Sequence, residues 1–91
     1  MPHGYAADKA KLLARLSRVE GQVRGVSRMV ADDKYCIDVL TQVSAIKAAL
    51  DQVSLLLLED HVKGCVVASV REGSNDKVDE LIDAVARFAR A

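Results

Sequence analysis

The sequence predicts an all-α protein: a protomer of three helices that completes its core as an antiparallel helical-bundle dimer. Three observations predict it. Apolar residues recur at spacings of three and four over most of the chain, the signature of helices with one apolar face. The only proline is Pro2, so no proline interrupts the remaining chain. Hydrophobic residues make up 51% of the 91 positions and aromatics only 3%. Such an aliphatic mix suits helix–helix seams better than a β-sandwich. A chain this short buries a modest core, which makes self-association expected.

Residues 1–7 read as an N-terminal tail, and residues 8–91 as one helical domain. The first helix runs from about Asp8 to Ala31, with Leu12, Leu16, Val19, Val23, Val26 and Val30 as its seam. Gly21 and Gly25 fall on one face of it, where another backbone can come close. Asp32-Asp33-Lys34 reads as a turn, with an aspartate capping the next helix. That second helix extends from Tyr35 to at least Lys63, with a continuation past Gly64 toward Arg71. Its seam is Leu40, Val43, Ile46, Leu50, Val53 and Leu57. Gly73-Ser74-Asn75 is a stop and turn signal. A third helix begins near Asp76 as N-cap, with Asp79 and Glu80 suited to the positive end of its dipole. Its apolar face is Val78, Leu81, Ile82, Val85 and Phe88.

Composition narrows the function. Lys and Arg together number 13, as do Asp and Glu, so the chain is not a uniformly basic nucleic-acid binder. What matters is where the charges sit. Two cysteines are too few for a secreted disulfide scaffold. No apolar run approaches the ~20 residues of a membrane span, and the N-terminus does not read as a signal peptide. A cytoplasmic setting is therefore expected, where reduced thiols bind metals or do redox chemistry. No nucleophile–base pair or phosphate-binding loop suggests an enzyme.

The cysteines gain meaning from their spacing. His61 and Cys65, four apart on a helix, project from one face, and both are ligands for a soft or borderline metal. That pair alone is a weak signal, and by itself it is better explained as a partly exposed histidine beside a buried cysteine. Cys36 begins the same helix, about 25 residues away, which at ~1.5 Å per residue is roughly 37 Å. The three cannot share an ion within one straight helix. Two copies packed antiparallel about a dyad near Ala49 and Leu50 would bring Cys36 of one chain beside His61 and Cys65 of the other. Two-fold symmetry then yields two equivalent sites. Two thiolates and one imidazole suit trigonal Cu(I), whereas structural zinc normally takes four protein ligands. A fourth ligand from His3 would favour nickel, cobalt or zinc.

On the first helix Lys11, Arg15, Arg18 and Gln22 span about 60° at about 100° per residue, flanking the apolar seam. Such a stripe can reach phosphates along a DNA groove, and Lys63 and Arg71 can extend it. From charge alone an ordinary solvated helix face is the favoured reading. No helix-turn-helix, zinc finger or stacking aromatic cluster is visible.

Three segments carry a resemblance: Arg15 through Gly25 (RLSRVEGQVRG), Asp33 through Gln42 (DKYCIDVLTQ), and His61 through Cys65 (HVKGC). With the opening His3-Gly4-Tyr5, they make the chain similar, over almost its whole length, to the copper-sensing transcriptional repressors, the CsoR family. The resemblance implies an all-α homodimer, usually paired into a homotetramer as a dimer of dimers. It implies a repressor that binds operator DNA when metal-free and releases it on Cu(I) binding, one Cu(I) per chain at the subunit interface. Cys36, His61 and Cys65 match the copper branch's ligand pattern. Tyr35 and Glu80 fall on positions that hydrogen-bond around the metal site. Arg15 and Arg18 fall on basic DNA-contacting positions, with Lys11, Gln22 and Arg71 as further contacts. Related branches leave alternatives: a nickel/cobalt sensor, which places histidine where Cys65 stands; a persulfide or thiol redox sensor, which keeps the cysteines without the histidine; and a formaldehyde sensor, which uses the first cysteine with the proline at position 2.

Overall fold

The computed structural model describes residues 4–90; Pro2 and His3 lie outside the described residues. A single 3-10 turn, Ala6–Asp8, leads into α1 (Lys9–Ala31). Helix α2 spans Cys36–His61, a π-helical turn spans Val62–Val66, and α3 spans Val67–Arg71. Helix α4 covers Asp76–Arg90. Among the described residues there are no strands.

Both interhelical turns are closed by one device. After α1, Asp33 takes a left-handed conformation (φ 55°). The Lys34 N–H donates to the Met29 carbonyl (3.0 Å) and the Asp33 N–H to that of Val30 (3.1 Å). After α3, Gly73 does the same (φ 86°). There the Ser74 N–H donates to the Ser69 carbonyl (3.0 Å) and the Gly73 N–H to that of Val70 (2.9 Å). These paired 6→1 and 5→2 bonds are the Schellman arrangement, which satisfies carbonyls a helix end leaves open. The aspartates expected to cap α2 therefore serve the end of α1 instead. Asp76 is likewise not a cap but a helical residue of α4. Its N–H donates to the Ser74 hydroxyl oxygen (3.2 Å), so Ser74 supplies that role.

The chain divides into two compact units, Ala7–Leu56 and, among described residues, 4–6 with 57–90. In the first, Leu12 and Val19 of α1 and Val53 of α2 are buried. Val26, Met29, Val39, Ile46, Ala49 and Leu56 are half-buried. The expected seams are thus only partly covered within one chain. Leu16, Val23 and Val30 on α1, and Leu40, Val43 and Leu50 on α2, stay exposed, Val30 by 59% and Leu40 by 60%. An apolar stripe wider than one neighbouring helix cannot be covered by a two-helix unit, and its remainder is left for further helices.

In the second unit α4 packs against the π turn and α3. Val66 is buried there, while Val62, Val67, Val78, Leu81 and Ala84 are half-buried. Ile82, Val85 and Phe88 of the expected α4 face remain exposed.

Candidate metal centre and nucleic-acid interface

Helical backbone continues past the end of α2 without a break: His61, Val66 and Val67 all have right-handed helical angles. The pitch does change. The Val67 N–H donates to the Val62 carbonyl, five residues back. One extra residue is therefore accommodated in the turn that separates His61 from Cys65. Such π turns are rare and concentrate at functional sites. The sequence predicted plain α-helix here; the only local signal was Gly64, between the two candidate ligands.

His61, the last residue of α2, is half-buried, and α4 brings Glu80 to it: Glu80 Oε1 lies 3.9 Å from His61 Nε2. That is too long for a hydrogen bond, but it sets a carboxylate against one face of the imidazole. A carboxylate beside Nε2 favours the tautomer that leaves Nδ1 as a lone-pair donor, the usual arrangement around a metal-binding histidine. The other oxygen of Glu80 lies 3.9 Å from Lys77 Nζ, one turn earlier on α4. Lys77 was not anticipated from the sequence; its i, i+3 spacing to Glu80 was the available clue.

Cys65 is half-buried inside the π turn, with a free thiol. Lys63 Nζ donates to Glu59 Oε1 at 2.6 Å, four residues earlier. Cys36 is free and exposed, the first residue of α2, and Tyr35 before it is 67% exposed. Cys36 and His61 are thus the opposite ends of one 26-residue helix. His61, Cys65 and Glu80 belong to one unit, Tyr35 and Cys36 to the other. Among the described residues, no three His, Cys, Asp or Glu side chains converge to hold an ion. The donor types nevertheless fit a soft ion: an imidazole whose Nε2 faces a carboxylate, and two free thiols.

Lys11, Arg15, Arg18, Lys63 and Arg71 are all exposed. Helix α1 carries six cations (Lys9, Lys11, Arg15, Arg18, Arg24 and Arg28) against one anion, Glu20, a balance of 6 − 1 = +5 in a chain whose formal charge is zero. Charge neutrality overall thus conceals a strongly basic helix. Gln22 is half-buried, and its Oε1 is sealed from solvent with no hydrogen-bond partner among the described residues.

Comparison with known proteins gives these features a family. Residues 8–87 match the family model of the metal-sensitive transcriptional repressors. This chain belongs to that family. Among its relatives, the copper-sensing transcriptional repressor RicR of Mycobacterium tuberculosis is 50% identical, over 98% of this chain and 96% of its own. The copper-sensing transcriptional repressor CsoR of Bacillus subtilis is 41% identical, over 98% and 89%. The copper-sensing repressor CsoR of Geobacillus thermodenitrificans, solved with Cu(I), superposes with a TM-score of 0.89 at 48% identity, covering 98% of this chain and 93% of that one. The nickel-responsive transcriptional regulator InrS superposes with a TM-score of 0.77 at 44% identity, over 87% and 90%. The metal-sensitive repressor family accounts for the all-α fold and for a regulatory rather than an enzymatic role, with DNA as its partner. No helix among the described residues is long and apolar enough to cross a membrane.

Proposed function

We propose that the chain is a copper(I)-responsive repressor that holds operator DNA when metal-free and lets it go when Cu(I) binds. The observation that carries the reading is the donor set: His61 just before a π turn and Cys65 within it, with Glu80 against the far nitrogen of the imidazole. Cys36, at the start of α2, is the remaining soft donor. An antiparallel pair of chains joins it to His61 and Cys65 of the other copy, giving one Cu(I) per chain at the subunit interface. The apolar residues left exposed on α1 and α2 supply the surface for that pairing, in a homodimer or a homotetramer. Copper-sensing relatives at 50% and 41% identity support the same choice of metal. A cysteine at position 65, where the nickel branch has histidine, weighs against a nickel sensor.

A bound soft ion supplies a link between two chains. The protein's own residues do the rest. Glu80 orients the imidazole and carries any shift of His61 into α4; Tyr35, next to Cys36, comes to the site with Cys36 from the other copy. Lys11, Arg15, Arg18 and Arg71 neutralise phosphates; Gln22, its carbonyl oxygen sealed, has only its amide nitrogen to offer. A bond drawn between subunits changes the spacing of these stripes, and a symmetric DNA site tolerates little change of spacing. Coupling energies of ~1–3 kcal/mol are typical of such switches.

Anaerobic titration of the reduced protein on labelled operator DNA tests the proposal. One Cu(I) per chain with loss of DNA binding is expected. Retention of DNA at saturating Cu(I) would refute it, and release by persulfide or oxidant instead would assign the thiols to redox sensing.

A further inference from the structure

The π turn is not held by helix bonds alone. Gly4 lies directly on it, backbone against backbone. A methyl group at Gly4 would stand 2.5 Å from the Asp60 carbonyl oxygen, 3.1 Å from its carbon and 3.3 Å from the His61 Cα. A methyl group at Gly64 would stand 2.8 Å from the Gly4 Cα. Both sets of contacts fall within the unit that holds His61 and Cys65. Gly4 therefore touches the peptide just before His61 and the residue just before Cys65, spanning the one turn that separates the candidate ligands. Neither position has room for any side chain, because the opposing atoms are backbone and cannot swing aside.

From this we infer that Gly4 and Gly64 are positioning residues for the metal site: a glycine-on-glycine clasp that fixes the π turn and, through it, the placing of Cys65 relative to His61. The inference rests on the reading of those two residues as ligands. Its physical basis is independent of the metal. A turn with an extra residue is less favourable than plain α-helix, so it persists where something outside the helix holds it. Glycine within a helix is itself unfavourable, by about 0.8–1.0 kcal/mol against alanine. Both burdens meet at residue 64, and both are explained if the close approach of Gly4 is what the site requires.

Two substitutions approach the clasp from opposite sides. Gly64→Ala adds a good helix former, so loss of the fold is not its expected result. Gly4→Ala leaves the helix untouched. In the metal-free protein, proton NOEs between residue 4 and residues 60, 61 and 64 should be present in the parent and absent in both variants. Competition titration should then show Cu(I) bound about 10-fold more weakly by each variant, the lower end of what outer-sphere changes cost metal sites. NOEs lost with copper affinity unchanged would overturn the positioning role, and NOEs absent from the parent would overturn the clasp itself. If the parent shows the NOEs but binds no Cu(I), the copper reading fails while the clasp stands.

Discussion

Replacing Gly73 by alanine tests the turn on which the second unit depends. Gly73 sits at φ 86°, and its N–H and that of Ser74 close the end of α3. Among the described residues nothing lies within 4 Å of where a Cβ would stand, so the cost is conformational and not steric. A side chain in the left-handed region costs roughly 1–2 kcal/mol. Alanine also has fewer unfolded conformations to lose, which offsets about 0.4–1 kcal/mol. The net loss is about 1 kcal/mol, or some 4–8 °C in Tm for a domain of this size. Thermal melts followed by circular dichroism, with both proteins at equal concentration because subunit assembly contributes, would measure it. Gly73→Asn should lie between the two, since asparagine tolerates this region. Equal melting of Gly73→Ala and the parent would refute the reasoning, because a left-handed residue cannot accept a β-carbon without cost.

Asp33 holds the same conformation without being glycine, so Asp33→Gly should raise the unfolding free energy read from urea titration by up to about 0.5–1 kcal/mol; a lowered value would contradict the backbone angle. Gln22→Met should stabilise by about 1 kcal/mol, the low end of the range for an unpartnered buried acceptor, since the residue is only half-buried. His61→Ala should abolish operator release by Cu(I) while leaving metal-free operator affinity unchanged in a fluorescence-anisotropy assay. Arg15→Ala should weaken operator binding and reduce the slope of log K against log salt by about one; an unchanged slope would remove Arg15 from the phosphate contacts.

Much of the fold was legible because helices announce themselves locally. The 3- and 4-residue spacing marked α1, α2 and α4, and Gly73-Ser74-Asn75 marked the last turn, which starts one residue earlier at Glu72. The cap assignments went astray for a physical reason. Asp33 and Asp76 are residue types that suit several helix-end positions, and only backbone angles say which end each one serves. Gln22 read as part of a polar stripe because its angular position is shared with Arg15 and Arg18; which way a flanking side chain turns is decided by packing.

The sequence by itself determined the elements, the donor chemistry of Cys36, His61 and Cys65, and the basic character of α1, since these depend on residue type and on spacing along one helix. Tertiary structure alone decided that Gly4 rests on the turn between the ligands and that this turn is π and not α; it also set Glu80 3.9 Å from the imidazole, near the site as the family resemblance had implied. Gly4 and Glu80 reach this turn and the imidazole from far along the chain, where steric contact and not local periodicity sets the geometry, and the Val67-to-Val62 bond carries no spacing signal of its own.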